Sequence, residues 1–253
     1  MGEKFSAERM VEYSVTFCRD NKFYMTLAGL FAYFQDVTIA HSEAINDGLS
    51  VLAEKKMGWA VINQAVKIKR RPKYGEVLNI STWSDFCEKC MATRSYQVKD
   101  AEGNVIIDGF SRWALLDMEK RRLKNVEERV AKAYLCDIPP VLSMDDFTID
   151  ETSERILVSE DEFTVRRRDT DTNRHVNNTK YIEWAIGLLP DDIFQNYDIS
   201  SCKVHYKKEL RLGDTVIAKG YLTEDKSKFF AVFERPDRES CVAEFDIIPY
   251  EKD

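Results

Sequence analysis

Glycine and proline are scarce in this chain, 10 and 6 of 253 residues, so collagen-like and Pro/Gly-rich disordered architectures are excluded. Long apolar runs are missing as well. The longest uncharged stretch, Phe23 to Gln35, has 13 residues and includes Thr26, which is too short to span a bilayer and reads as a core helix. Positive charge is not in excess: 37 Lys and Arg stand against 44 Asp and Glu, and a net charge of −7 argues against a nucleic-acid binder, because phosphate neutralisation calls for a basic domain. Of six cysteines only Cys87 and Cys90 are paired, and the three histidines (His41, His175, His205) do not flank them at ligand spacing. A disulfide scaffold and a zinc site are therefore not expected, and the solitary thiols suit a reducing compartment. P-loop, G-x-G-x-x-G and G-x-S-x-G signatures are also missing, which removes the usual signals for NTPases, dinucleotide enzymes and serine hydrolases. Neither a metal nor an organic cofactor is expected.

At the N-terminus there is no basic region followed by an apolar core and a cleavage site, so the expectation is a cytoplasmic protein without a cleaved leader. "MGEKFS" formally fits a myristoylation pattern, but so short a pattern often arises by chance and one acyl chain anchors weakly, so no membrane anchor is expected.

What is present is a globular composition, 44% hydrophobic and 32% charged, and an order of elements that occurs twice. The acidic stretch Ser143 to Glu154 reads as a linker and divides the chain into residues 1–142 and 157–253, joined by 143–156. The first half opens with "EYSVTFCR", an alternating strand, and a helix whose stripe is Leu27, Leu30, Phe31, Phe34 and Thr38. The second opens with "EFTVRRRD" and a helix with the stripe Tyr181, Ile182, Ala185, Leu188 and Leu189, ended by Pro190. A basic strand and two long strands follow in both halves, with turns at Glu102-Gly103-Asn104 and near Pro236 to Arg238. Aligning Gly75 with Gly213 sets Arg71 on Glu209 and Glu76 on Asp214.

Each half is thus an α+β unit in which an antiparallel sheet buries one face around a helix. The pattern resembles a tandem, or double, hot-dog fold, and joining the two sheets edge to edge would protect both exposed edges.

In "RRRDTDTNRHVNNTKYIEWA", Asp171, Asn173 and His175 are spaced two apart, so in an extended segment a carboxylate, an amide and an imidazole share one face. The plain alternative is that Asp and Asn serve a helix start and His175 is a loop residue. The first half argues against it, since "DNKFYMTL" has Asp20 and Asn21 but no histidine. Glu209 lies in a basic run where the first half has Arg71, and it either neutralises Lys207 and Lys208 or joins His175 and Asn173 in activating water.

"DTDTNRHVNNTKYIEW" resembles the signature of the acyl-acyl-carrier-protein (acyl-ACP) thioesterases, which release fatty acids from acyl carrier protein. The likeness extends to "TIAHSEAINDGL", "KIKRRPKYGEVLNISTWS", "SRWALLDMEKRRLKNVEERV" and "HYKKELRLGD", covering about residues 10 to 250. The resemblance implies a hydrolase with its chemistry in the second half, on Asp171, Asn173, His175 and Glu209, and its acyl pocket mainly in the first half. Leu210 stands where some plant members carry cysteine, so a thiol nucleophile at that position is excluded and water attack or a carboxylate nucleophile is left. Phe31, Phe34, Trp59 and Trp113 are candidates for the pocket wall. Acyl carrier protein is acidic, so Arg166, Arg167, Arg168, Lys207 and Lys208 are the candidate docking residues. Two other readings are a thioesterase acting on coenzyme A esters and a non-catalytic acyl-thioester sensor. Whether the chain pairs as a homodimer is not legible.

Overall fold

The computed structural model describes residues 2–171 and 174–252, divided into two compact units, one running to Met144 and the other starting at Asp145.

The first unit contains β1 (Phe5–Met10), β2 (Thr16–Arg19), β3 (Lys22–Met25), α1 (Leu27–Ala44), α2 (Leu49–Glu54), β4 (Met57–Ile68), β5 (Val77–Trp83) and β6 (Cys87–Glu88). They are followed by β7 (Met91–Lys99), β8 (Val105–Asp117), β9 (Arg122–Leu123) and α3 (Glu128–Tyr134). Its main strands run antiparallel in the order β1-β5-β7-β8-β4, while β2 and β3 form a separate hairpin. Thr26 starts α1 by accepting the Gly29 N–H on Oγ1 at 3.0 Å, a side-chain cap for an otherwise orphaned donor. From there Leu27, Leu30, Phe31 and Phe34 are buried against the sheet, and Thr38 is half-buried on the Tyr96 hydroxyl at 2.8 Å. Phe34 stacks on Tyr96 with ring centroids 4.3 Å apart, and a Cβ at Gly109 of β8 would come within 2.7 Å of the Phe34 ring. The glycine is what lets helix and sheet approach this closely.

Two sequence expectations change here. The strand of this unit's main sheet nearest the N-terminus is β1, not "EYSVTFCR", whose second half forms the small hairpin instead. The uncharged run Phe23 to Gln35 is strand at first and becomes helix only after the Thr26 cap.

The second unit contains β10 (Ile156–Thr164), α4 (Asn178–Gly187), α5 (Asp191–Asn196), β11 (Tyr197–Tyr206), β12 (Thr215–Leu222), β13 (Lys228–Arg235) and β14 (Arg238–Pro249). The strands are antiparallel in the order β11-β14-β13-β12-β10. Asn177 caps α4, its Oδ1 accepting the Thr179 N–H at 2.9 Å, and Tyr181, Ile182, Ala185 and Leu188 are buried beneath it. Pro190 does not end this helix. It caps α5, a second helix that the sequence reading lacks, while α4 stops at Gly187.

The repeat is visible bond by bond. Val11 donates to the Glu76 carbonyl (2.9 Å) and accepts from Gly75 (3.0 Å); Val165 does the same with Asp214 (2.9 Å) and Gly213 (3.0 Å). Both glycines have left-handed φ, +80° and +88°, which explains glycine at each. Met25 N–H meets the Pro72 carbonyl at 2.8 Å, and Val176 N–H meets that of Leu210 at 2.9 Å. Tyr24 therefore occupies the place of His175, Arg71 that of Glu209, and Thr26 that of Asn177. Asp20 and Asn21 are the left-handed tip of the β2–β3 hairpin, with φ of 48° and 59°, and take no part in starting α1.

The acidic stretch read as a linker is tied down within the second unit. Phe147 and Ile149 are buried, Asp150 N–H donates to Glu244 Oε2 at 2.6 Å, Lys203 Nζ to the Thr148 carbonyl at 3.0 Å, and His205 Nε2 to the Phe147 carbonyl at 2.6 Å. Among the described residues no helix is long and apolar enough to cross a membrane.

Candidate active site

Between Thr170 and Val176 the second unit makes a shorter excursion than the first makes between Thr16 and Met25, six residue steps against nine. Asp171 N–H donates to the His175 carbonyl at 2.8 Å, Arg174 N–H to the Asp171 carbonyl at 3.0 Å, and Arg174 has φ +63°. The chain reverses here. Asp171 and His175 consequently do not share one face of an extended strand, as the i, i+4 spacing suggested; the reversal folds the Asp171 carboxylate back onto the His175 backbone N–H, Oδ1 to N 3.3 Å. Asn173 lies outside the described residues.

His175 is also bridged to Arg211, so its backbone is held on both sides. Its Nε2 lies 3.1 Å from Glu209 Oε2, with the imidazole 21% and the carboxylate 48% exposed. A partly shielded imidazole touching a carboxylate that still reaches solvent is a pair able to take a proton from water and pass it on. Sequence reasoning found both members, through the motif and through the odd carboxylate in a basic strand.

It missed Arg211. Arg211 Nη2 donates to the same Glu209 Oε2 at 3.1 Å, and its backbone N–H donates to Asp214 Oδ2 at 2.9 Å. Asp214 in turn accepts Arg235 Nη1 on both oxygens, at 3.3 and 3.2 Å. The equivalent turn of the first unit makes the matching backbone contact, Lys73 N–H to Glu76 Oε1 at 3.0 Å. Leu210 has a fully buried side chain, and the thiols of Cys202 and Cys241 are buried in the sheet, where desolvation pushes both up, away from the thiolate. On α4, Tyr181 packs edge-on against Trp184, Tyr206 and Phe233, with centroids 5.4 to 5.7 Å away. Burial raises its phenol, and a hydrogen bond from the Leu210 backbone partly offsets this.

Arg166, Arg167 and Arg168 are exposed around a short 3₁₀ turn, fixed by Asp169 Oδ2 accepting the Arg166 N–H at 2.7 Å. Lys208 is exposed, and Lys207 pairs with Glu239. In the first unit Phe31 and Phe34 are buried on α1; Trp59 and Trp113 are half-buried, donating to Asp47 Oδ2 (3.2 Å) and Ser111 Oγ (2.7 Å).

Comparison with known proteins shows the family of the chain. The acyl-ACP thioesterase N-terminal domain matches residues 7–134 and the acyl-ACP thioesterase C-terminal domain matches residues 153–245. A chloroplastic acyl-[acyl-carrier-protein] hydrolase of Cuphea viscosissima is 26% identical over 193 residues, 72% of this chain and 47% of that protein. Oleoyl-acyl carrier protein thioesterase 2 of Arabidopsis thaliana is 28% identical over 207 residues, 76% of this chain and 55% of its own. The chain thus spans about half the length of these curated relatives. Two solved structures share the fold: the 12:0-ACP thioesterase from Umbellularia californica, with TM-score 0.83, 19% identity and 98% of both chains covered, and an acyl-ACP thioesterase from Bacteroides thetaiotaomicron, with TM-score 0.81, 20% identity and 97% and 98% covered. Each unit is accordingly a hot-dog, an antiparallel sheet packed around a helix. Since the two domains match in order and together take in most of its length, the chain belongs to the acyl-ACP thioesterase family.

Proposed function

We propose that this chain hydrolyses fatty acyl-ACP to free fatty acid and holo-acyl carrier protein. The observation that carries the reading is the His175–Glu209 contact, 3.1 Å between Nε2 and Oε2, on a loop braced from both sides. Glu209, with His175, takes a proton from water; the water oxygen bonds to the thioester carbon; the carbon–sulfur bond breaks, and the proton passes to the departing thiolate. Asp171 holds the His175 backbone, and Asn173 orients the thioester or the water. Arg211 keeps Glu209 from rotating away from His175. Arg211→Gln is therefore expected to lower kcat about tenfold with KM little changed, as befits a positioning residue; a kcat equal to that of the parent would remove Arg211 from the mechanism.

The test is release of free thiol from acyl-ACP and acyl-coenzyme A thioesters of equal chain length. Preference for acyl-ACP supports the reading, and preference for coenzyme A esters replaces its carrier. Binding without turnover on either would make the chain a sensor. Arg166 to Arg168, Lys207 and Lys208 form the docking set for the acidic carrier. Reversing Arg166 and Arg167 to Glu is expected to raise KM for acyl-ACP about tenfold while leaving that for acyl-coenzyme A nearly unchanged. An unaltered KM for acyl-ACP takes both arginines off the docking surface.

A further inference from the structure

A basic cluster that the proposed reaction leaves unused is Lys120, Arg121, Arg122 and Lys124, four cations within five residues of a chain whose net charge is −7. They stand on the hairpin that joins β8 to β9 and on the residue after it, and all four are exposed. Asp117, opposite Arg122, shapes the turn by accepting the Glu119 and Lys120 N–H groups on Oδ1 at 3.1 and 2.9 Å, and Arg121 reverses the chain with φ +48°. Other lysines engage the acidic neighbours, Lys56 pairing with Glu119 and Lys55 with Glu127, and among the described residues none of the four cations makes an ion pair.

The same hairpin carries exposed apolar side chains. Leu123 lies directly across from Leu116, and Leu116 across from Gly58 of β4. Opposed residues of an antiparallel pair share a face. Gly58 leaves that face bare, and Met118 covers it, its sulfur 3.1 Å from where a Cβ on Gly58 would stand. Met118, Leu116 and Leu123 therefore form one apolar strip, in which Leu123 is 58% and Met118 36% exposed. Arg122 and Lys124 leave the chain on the opposite face, but their aliphatic stems are long enough to bring the charges back beside the strip.

We propose that the β8–β9 hairpin is a docking element for an anionic phospholipid surface, with Leu123 and Met118 entering the boundary between headgroups and acyl chains while Lys120, Arg121, Arg122 and Lys124 meet the lipid phosphates. Size decides between a lipid and an acidic protein. A stable protein interface takes about 800 Å² and some 20–30 residues from each partner, far more than the segment Met118 to Lys124 presents. A bilayer asks only for charge and for shallowly inserted apolar groups. Each basic residue near an anionic surface strengthens binding about fivefold, and inserted apolar side chains add to this. Such attachment is reversible, needs no spanning segment, and does not depend on which thioester the chain cleaves.

The experiment is co-sedimentation of the full chain with vesicles of phosphatidylcholine alone and with vesicles of equal parts phosphatidylcholine and phosphatidylglycerol, at low and at high salt. Expected is binding to the anionic vesicles at least about tenfold tighter than to the neutral ones, and lost at high salt. The double variant Arg122→Gln/Lys124→Gln should bind the anionic vesicles about thirtyfold more weakly, and Leu123→Ser about fivefold more weakly. Both should melt with the parent, because the three side chains are exposed. A parent that ignores anionic vesicles overturns the proposal, as does a double variant that binds them like the parent, since the charge responsible would then lie elsewhere, for instance at Arg166 to Arg168. If the parent binds no vesicles and the double variant raises KM for acyl-ACP, the hairpin docks the carrier protein and the lipid assignment falls.

Discussion

Glu209→Gln is expected to lower kcat for acyl thioester hydrolysis by roughly 10² to 10⁴, the range associated with loss of a positioned general base. The carboxylate is half-exposed, so the change leaves no charge stranded in the core, and the melting temperature should stay within a few degrees. His175→Ala should cost a similar factor. Because the two side chains act through one contact, the double variant should be scarcely slower than the worse of the singles. Single-turnover thiol release separates this loss from carrier binding. If Glu209→Gln retained more than about half of the parent rate, the pair would be a surface ion contact and the base would lie elsewhere.

The largest stability effect is expected at Glu244, whose side chain is fully buried. It accepts Asp150 N–H at 2.6 Å, Lys228 Nζ at 2.9 Å and Lys203 Nζ at 3.1 Å. Burial alone would push its carboxyl up, but these donors outweigh burial and hold it below the ordinary value. Glu244→Ala strands the Asp150 N–H and removes the acceptor that two ammonium groups share, leaving Lys203 only the Thr148 carbonyl and Lys228 the Asp150 carboxylate, at a cost of about 3 kcal/mol. For a chain of this size that is a fall of roughly 6–12 °C in Tm. Asp150 is likewise held far below the usual carboxylate range, chiefly by the Ser153 and Thr152 hydroxyls. A carboxylate whose pKa is depressed on folding contributes stability above its unfolded value and loses it as pH falls. The parent should therefore lose stability below about pH 4.5, and Glu244→Ala should lose less over the same interval. Melting curves between pH 7 and pH 3 check both statements; a variant that melts within 2 °C of the parent would show the cluster to be dispensable.

Much of the fold was legible because it is written twice. Gly75 and Gly213 occupy turns that need positive φ, and aligning them on sequence alone placed Arg71 against Glu209, as the backbone bonds now do. Helix stripes and hairpin turns were readable from periodicity and from Gly103 and Pro236. Less legible was anything decided by a tight reversal. "EYSVTFCR" alternates like a sheet strand, yet Tyr13–Val15 wind into a 3₁₀ turn and only Thr16–Arg19 extend. Likewise, the two-residue spacing of Asp171 and His175 suggested a shared face, whereas Arg174 at positive φ folds the segment back. Period-two reasoning holds only while the chain stays extended. Arg211 escaped notice because i, i+2 neighbours touch through long side chains in an irregular segment, for which no periodic pattern exists.

The paired frames of backbone bonds, with Tyr24 and Arg71 at the positions of His175 and Glu209, have an evolutionary consequence. Were two such units identical copies in a homodimer, every substitution would be made in both at once, and a change good for one task would be forced on the other. Once both copies lie in one reading frame, that constraint is lifted. One copy can keep an imidazole and a carboxylate while the other trades them for a phenol and a guanidinium without disturbing the bonds that hold either loop. Asymmetry is then inherited covalently, and the copy that carries Tyr24 and Arg71 is free to drift toward work unrelated to proton transfer.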